Sequence, residues 1–315
     1  MTHPDPARNL SGTDAPCDDQ QTERVRRLVE SPSYRRADED LEFLQQPEMC
    51  GVRLQLDYWK TEQILQAHRI EHTVVVYGST RLIEPDAAQR RLAAAREVHD
   101  AAPQDARAKR ALRTAERLAA SSGYYDVARE FGEKIGRLAA HSAFARMAII
   151  TGGGPGIMEA ANRGAFESRA PSIGLNIALP REQHPNAYIS PDLCFQFHYF
   201  AIRKLHLLER AKAAVFFPGG YGTCDELFEV LTLLQTGKIE PLPVVLVGQA
   251  FWRRAFDVDF LVEEGMISEQ DVKLFTFAET AEEICARIVD WYVRARSQEN
   301  EKEENPCPEC DADQV

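Results

Sequence analysis

The 315-residue sequence contains no apolar run approaching the roughly 18–20 residues that span a bilayer. Its first residues, MTHPDPARNLSGTDAPCDD, lack the apolar stretch of a secretory signal. A cytoplasmic protein with no membrane partner is therefore expected. Positive charge is scarce too. Against 37 Lys and Arg stand 49 Asp and Glu, a formal charge of −12, the wrong sign for affinity built on neutralising nucleic-acid phosphates. Much of the excess sits at the ends, residues 297–315 alone holding seven acids against one Lys. Seven cysteines are too few for a disulfide scaffold. Cys50, Cys194, Cys224 and Cys285 fall singly in apolar segments and read as reduced thiols. Cys307-Pro-Glu-Cys310 has half the spacing of a zinc site, but no second pair accompanies it, so no metal is expected.

What is present is an ordinary globular balance, 44% apolar and 27% charged. Residues 1–22 and 297–315 read as disordered tails, the latter acidic, and 23–70 as a helical extension ahead of the main fold. From His72 the pattern changes: HTVVVYG is a continuous β-branched run, the mark of a strand buried on both faces. Similar runs recur at Met147–Thr151, Ser172–Leu179, Leu193–Phe197, Ala213–Phe217, Pro243–Val247 and Lys273–Phe277. Between them lie helical patterns at Ile157–Ser168, Phe200–Lys212, Asp225–Gln235, Phe251–Glu264 and Ala281–Arg294. This alternation predicts, over 71–296, a Rossmann-like α/β domain, a doubly wound parallel sheet of about seven strands with helices on both faces. An Ala/Arg-rich stretch from Ala87 to Ala119, interrupted by Pro103, predicts a two-helix insertion over about 84–120. Its excess of basic residues comes without aromatic interleaving, so it reads as a solvated insertion or subunit contact rather than a nucleic-acid arm.

Two glycine-rich turns fall at carboxyl ends of strands, where parallel sheets hold ligands. Thr151-Gly-Gly-Gly-Pro-Gly-Ile-Met-Glu159 brings Gly153 and Gly154 to a helix start that can receive an anion. It is neither a Walker loop nor a full G-x-G-x-x-G, which disfavours a dinucleotide-dependent oxidoreductase. The second turn, Pro218-Gly-Gly-Tyr-Gly-Thr-Cys-Asp-Glu226, forms another anion cradle. Thr223 and Glu226 satisfy the spacing of a capping box, in which both side chains only satisfy backbone N–H groups. The alternative is a carboxylate kept ionised by the helix dipole and available to stabilise positive charge.

The stretch FHYFAIRKLHLLERAKAAVFFPGGYGTCDELFEVLTLLQTGKI resembles the PGGxGTxxE region of the Lonely Guy (LOG) phosphoribohydrolases, once labelled lysine decarboxylases. TGGGPGIMEAANRGA is similar to the longer bacterial members, and the likeness extends from about His72 to Arg294. The resemblance implies hydrolysis of the N-glycosidic bond of nucleoside 5′-monophosphates, AMP or cytokinin riboside monophosphates, without metal or cofactor. It implies Arg203 and Glu226 as the catalytic pair and Gly219, Gly220, Tyr221, Gly222, Thr223, Cys224 and Asp225 as the nucleotide cradle. Lys204, Glu182 and Thr232 fall at further ligand-contact positions, and a homodimer or higher homo-oligomer is implied. Arg203 could hold phosphate or fix Glu226 in place. Asp225, one methylene shorter than the Glu frequent in the short members, has less reach, and His206 is read as packing rather than proton transfer. A noncatalytic nucleotide or molybdopterin carrier is the alternative on the same fold; no pyridoxal-phosphate lysine is identifiable for the old label.

Overall fold

The computed structural model describes residues 19–139, 146–178 and 184–304, with side chains as far as 297. Their contacts divide the chain into two units, Met1–Leu56 and Asp57–Val315. In the first, α1 (Asp19–Val29) buries no residue and is held by Glu23 pairing with Arg26 and Arg27 one turn on. It begins inside the stretch read as a tail, because Asp19 in the first turn and these pairs favour helix locally. A four-residue helix, α2 (Leu41–Leu44), is capped by Asp40, whose carboxylate accepts from Phe43 N at 3.1 Å.

The second unit takes residues 57–67 of α3 (Cys50–Ala67) and everything beyond. Seven strands, β1 (His72–Tyr77), β2 (Met147–Thr151), β3 (Ser172–Ile177), β4 (Cys194–Phe197), β5 (Ala211–Phe216), β6 (Val244–Val247) and β7 (Phe275–Ala278), form one all-parallel sheet in the order β4-β3-β2-β1-β5-β6-β7. The central strand explains its own sequence. Val75 and Tyr77 join a core on one face, and Val74 and Val76 join a second core on the other, so every position after His72 must be apolar or small.

Connections supply the helices: α4 (Pro85–Ala101), α5 (Ala106–Ala120), α6 (Gly123–Ala139), α7 (Ile157–Glu167), α8 (Phe200–Glu209), α9 (Tyr221–Gln235), α10 (Gln249–Ala255), α11 (Val258–Glu263) and α12 (Ala281–Glu304). The expected break at Pro103 separates α4 from α5. The connection also holds α6, whose Tyr125, Ala128, Phe131 and Ile135 recur at helical spacing and are buried against the sheet. Helix 200–212 ends early, at Glu209, because β5 starts at Ala211 to pair with β1. The single helix read over 251–264 is two, since Asp257 is extended and caps α11 by accepting from Phe260 N at 3.1 Å. At the C-terminal end, α12 continues past 297, to Glu304. No described helix is long and apolar enough to cross a membrane.

Helices α6 and α7 approach at backbone distance through glycine. A Cβ on Gly132 would strike the Ala161 carbonyl, and one on Gly164 would strike the Arg129 carbonyl and lie 2.6 Å from Glu133 N. Gly164→Ala should therefore destabilise by about 1–3 kcal/mol through overpacking, despite the better helix propensity of Ala. Denaturant titration measures this, and an unchanged midpoint would show that the two helices can part without cost.

Candidate active site

Strand order decides where the motifs meet. Because β2 and β5 both flank β1, the two glycine turns and the loop after β1 stand side by side along one edge of the sheet, at the switch in winding direction where parallel folds bind ligands. They enclose a cleft of about 1370 Å³. The insertion contributes to one wall through Arg117 and Leu118, α6 through Tyr124, and α10 to another through Phe251 and Arg254.

The turn after β2 needs its glycines for shape. Gly153 and Gly156 have φ of 74° and 75°, and Gly153 packs against the Asn176 side chain. Behind it lies a buried polar network. Thr151 Oγ1 donates to Asn162 Oδ1 at 2.7 Å and accepts from Gly153 N at 3.0 Å, while Asn186 Nδ2 donates to the carbonyls of Gly153 and Gly154 at 3.2 and 3.1 Å. Gly152 and Gly154 face the cleft, and Gly153 does not line it.

The turn after β5 differs. Gly219 is required by packing, since a Cβ there would meet the Thr223 side chain, but Gly220 and Gly222 would carry a Cβ into open space. Helix α9 starts at Tyr221 with Gly220 as its cap, no side chain bonds the cap, and Cys224 N makes the first intrahelical bond, to Gly220 O at 3.0 Å. The capping-box reading is thereby corrected. Thr223 and Glu226 lie inside the first two turns, three residues too late to cap them. The leading N–H groups of α9 therefore lack intrahelical partners and remain available to an anion.

Glu226 is 5% exposed. Arg203, projecting from α8 over the Phe200 ring, donates from Nη2 to Glu226 Oε1 at 3.3 Å. Its Nη1 lies 3.5 Å from where a Gly152 Cβ would stand, so one guanidinium reaches from the carboxylate to the other glycine turn. Glu226 Oε2, Arg203 Nε and the Tyr77 hydroxyl are all buried without a partner. Burial pushes the Glu226 carboxyl up to about 7, against the opposing pull of Lys204 and Arg203. This corrects the expectation of a carboxylate kept ionised, because desolvation outweighs the nearby positive charges. Burial, with Glu226 next in effect, likewise raises the Tyr77 phenol well above its ordinary value.

Other expected site residues are placed differently. Tyr221 lines the cleft rim and is 95% exposed. Lys204 turns to Asp225 and Glu229, at 2.8 and 2.7 Å, and neither Lys204 nor Asp225 lines the cleft. Cys224 is half-buried outside the lining, and Thr232 donates back to Phe228 O at 2.6 Å on the exposed side of α9. Glu182 lies outside the described residues. His206 is buried beside Tyr58 and does not line the cleft, consistent with packing. Sequence reasoning assigned no role to Tyr77, Ser79 and Thr80, although a Tyr closing a buried strand with Gly-Ser-Thr directly after it carried a signal; the partners Asn162 and Asn186 carried none.

Fold and cleft together define an α/β protein with an anion-receptive pocket at its sheet switch point and a buried acid–arginine pair inside. Residues 158–288 match a family model described as possible lysine decarboxylase. A cytokinin riboside 5′-monophosphate phosphoribohydrolase of Arabidopsis thaliana is 29% identical over 150 residues, 46% of this chain and 68% of that protein. A rice enzyme of the same name, from Oryza sativa subsp. japonica, is 35% identical over 91 residues, 28% and 37% of the two chains. Over these spans the chain is similar to the LOG phosphoribohydrolases. Among solved structures, a structural-genomics target known from its X-ray structure is 20% identical with a TM-score of 0.41, covering 70% of this chain and 99% of that one. The molybdenum cofactor carrier protein of Chlamydomonas reinhardtii is 21% identical with a TM-score of 0.37, covering 54% and 89%.

Since neither Gly220 nor Gly222 is demanded by packing, a methyl at either should leave the fold intact and obstruct ligand approach. Gly222→Ala should hold or raise stability by up to about 1 kcal/mol, as Ala does in a helix, while weakening nucleotide binding. Melting and nucleotide titration of the same variant check both halves, and unchanged affinity would remove this turn from the binding surface.

Proposed function

We propose that the protein hydrolyses the N-glycosidic bond of nucleoside 5′-monophosphates, AMP or a cytokinin riboside 5′-monophosphate, to free base and ribose 5-phosphate. The observation that carries this reading is the buried Glu226 carboxylate, gripped at one oxygen by Arg203 and free at the other, beside the uncapped start of α9. The phosphate occupies the open N–H groups of α9, which places the ribose near Glu226. As the C1′–N bond breaks, its electron pair leaves with the base, which takes up a proton from solvent. The ionised Glu226 stabilises the cationic ribosyl carbon and accepts a proton from the water that adds to C1′. Arg203 holds Glu226 in position, its guanidinium stacked over the Phe200 ring.

A lysine decarboxylase reading lacks its nucleophile: no lysine lines the cleft among the described residues, and Lys204 is engaged by two carboxylates. A carrier would bind nucleotide and release no base, so free base is the discriminating product.

AMP should exceed adenosine in kcat/KM by at least about a hundredfold, because the phosphate supplies binding realised at α9. Equal values for the two would remove phosphate from the reading. Because the ionised form of Glu226 does the work, kcat/KM should rise with pH on a limb centred at about 7.

Glu226→Gln should lower kcat about a hundredfold or more. Its stability carries the opposite sign. A carboxyl at 4.5 when unfolded and about 7 when folded binds its proton more tightly in the native state, so wild-type stability falls as pH rises from 4.5 through 7. Glutamine has no such loss. The variant should therefore gain on wild type across that window, by up to about 3 kcal/mol above pH 7. Paired melts at pH 5 and pH 8 measure the difference; a variant less stable at pH 8 than at pH 5, relative to wild type, would show that the charge is not held against desolvation.

A further inference from the structure

Outside the cleft, α3 and α8 bring together Glu62, His206 and Glu209, each offering one donor atom, all three within 4.8 Å of one another. In each residue the remaining polar atom is already held. Glu62 Oε1 accepts from Arg210 Nη2 at 2.6 Å and from Gln66 Nε2 at 2.5 Å. His206 Nε2 lies 3.2 Å from the Tyr58 carbonyl, an acceptor that only an N–H can approach favourably, so Nδ1 of the neutral ring carries the lone pair. Glu209 Oε1 accepts from the Tyr58 hydroxyl at 3.0 Å. Left without a hydrogen-bond partner are Glu62 Oε2 and His206 Nδ1, both buried on residues 6% and 1% exposed, and beside them stands Glu209 Oε2, 3.4 Å from that Nδ1 and 3.6 Å from Arg210 Nη1. Unshared electron pairs on all three thus lie within 4.8 Å of one another with Arg210 as the one guanidinium paired to the two carboxylates, an arrangement that is costly unless a further cation stands between them.

We infer that Glu62, His206 and Glu209 form a three-ligand site for a borderline divalent cation, Zn²⁺ by its donor set, clamping the 57–67 segment of α3 to α8. Zinc bonds imidazole nitrogen and carboxylate oxygen at about 2.0–2.2 Å in tetrahedral geometry, which sets neighbouring ligand atoms about 3.3–3.6 Å apart. The 3.4 Å between His206 Nδ1 and Glu209 Oε2 already has that spacing. An imidazole whose other nitrogen donates to a backbone carbonyl, and carboxylates anchored by Arg and Tyr, are the outer partners that orient metal ligands. Arg210 leaves the two carboxylates with a net negative charge, which the cation neutralises. A neighbouring pocket of about 560 Å³ is lined by Glu209, Arg210 and Gln66. The site departs from the sequence expectation of no metal, and it stands independently of the hydrolase reading. Its consequence lies in α8: Asp57 Oδ2 accepts from His198 N and Tyr199 N at 2.9 and 3.0 Å at one end of that helix, the metal holds the other, and Arg203 lies between them.

The test is calorimetric titration of chelator-treated full-length protein with Zn²⁺ alone, with Co²⁺ absorption as a report on ligand type. One equivalent should bind with micromolar or tighter affinity and raise Tm. Glu62→Gln, His206→Gln and Glu209→Gln should each weaken binding at least about tenfold, while Cys307→Ser/Cys310→Ser should leave it unchanged. Glu209 is partly exposed, so its variant keeps the test decisive should the buried substitutions disturb folding. Co²⁺ should give the spectrum of nitrogen and oxygen ligands without thiolate charge transfer. Absence of saturable binding up to about 100 µM, binding unaffected by Glu209→Gln, or binding lost with the Cys307/Cys310 pair would overturn the site.

Discussion

Desolvation of one carboxylate governs this molecule. Glu226 sits where water cannot solvate both oxygens, with a single charge-assisted bond to Arg203 in return, and the result is a carboxyl raised to about 7. Such a group survives only where the surrounding structure leaves it no alternative position. The stacked rings of Tyr77 and Phe216 at the ends of β1 and β5, the Phe200 ring under Arg203 and the start of α9 together supply that constraint. The stability given up at the site is regained in the two cores that sandwich the sheet.

Rigidity reaches the site by two further routes. On the β2 side, Asn162 and Asn186 hold the first glycine turn through a buried network in which each amide has several partners; Asn162 also donates to Ser172 Oγ and Ile173 O, tying the turn to β3. On the α8 side, carboxylates of α3 engage both ends of the helix that bears Arg203, Asp57 at its first turn and Glu62 through Arg210 just past its last. The charge carriers of the cleft are thus positioned by groups far from it in sequence.

Much of this was legible beforehand, unevenly. Buried parallel strands announce themselves because apolar side chains are needed on both faces, and all seven were found within a few residues. The 218–226 motif was legible because two of its three glycines, Gly220 and Gly222, have no packing use and face open space. The capping-box alternative failed for a physical reason. Its spacing is a local pattern, but the start of α9 is set by where β5 leaves the sheet and by the extended backbone at Gly220, which moves the first turn three residues earlier. Lys204 illustrates a second limit, since adjacency to Arg203 in sequence turns its side chain about 100° around α8, where Asp225 and Glu229 capture it.

Taken alone, the sequence determined the alternation of strand and helix, the two glycine turns and the presence of an Arg and a Glu at the spacing of a known family. These follow from short-range requirements: periodic burial, the φ freedom of glycine and helix geometry. Tertiary structure alone decided that β1 lies between β2 and β5, so that three loops share one cleft, that Glu226 loses its water, and that Glu62 meets His206 across 143 intervening positions. Desolvation and the pairing of remote side chains depend on what packs around a residue, and no local pattern along the chain encodes that surrounding.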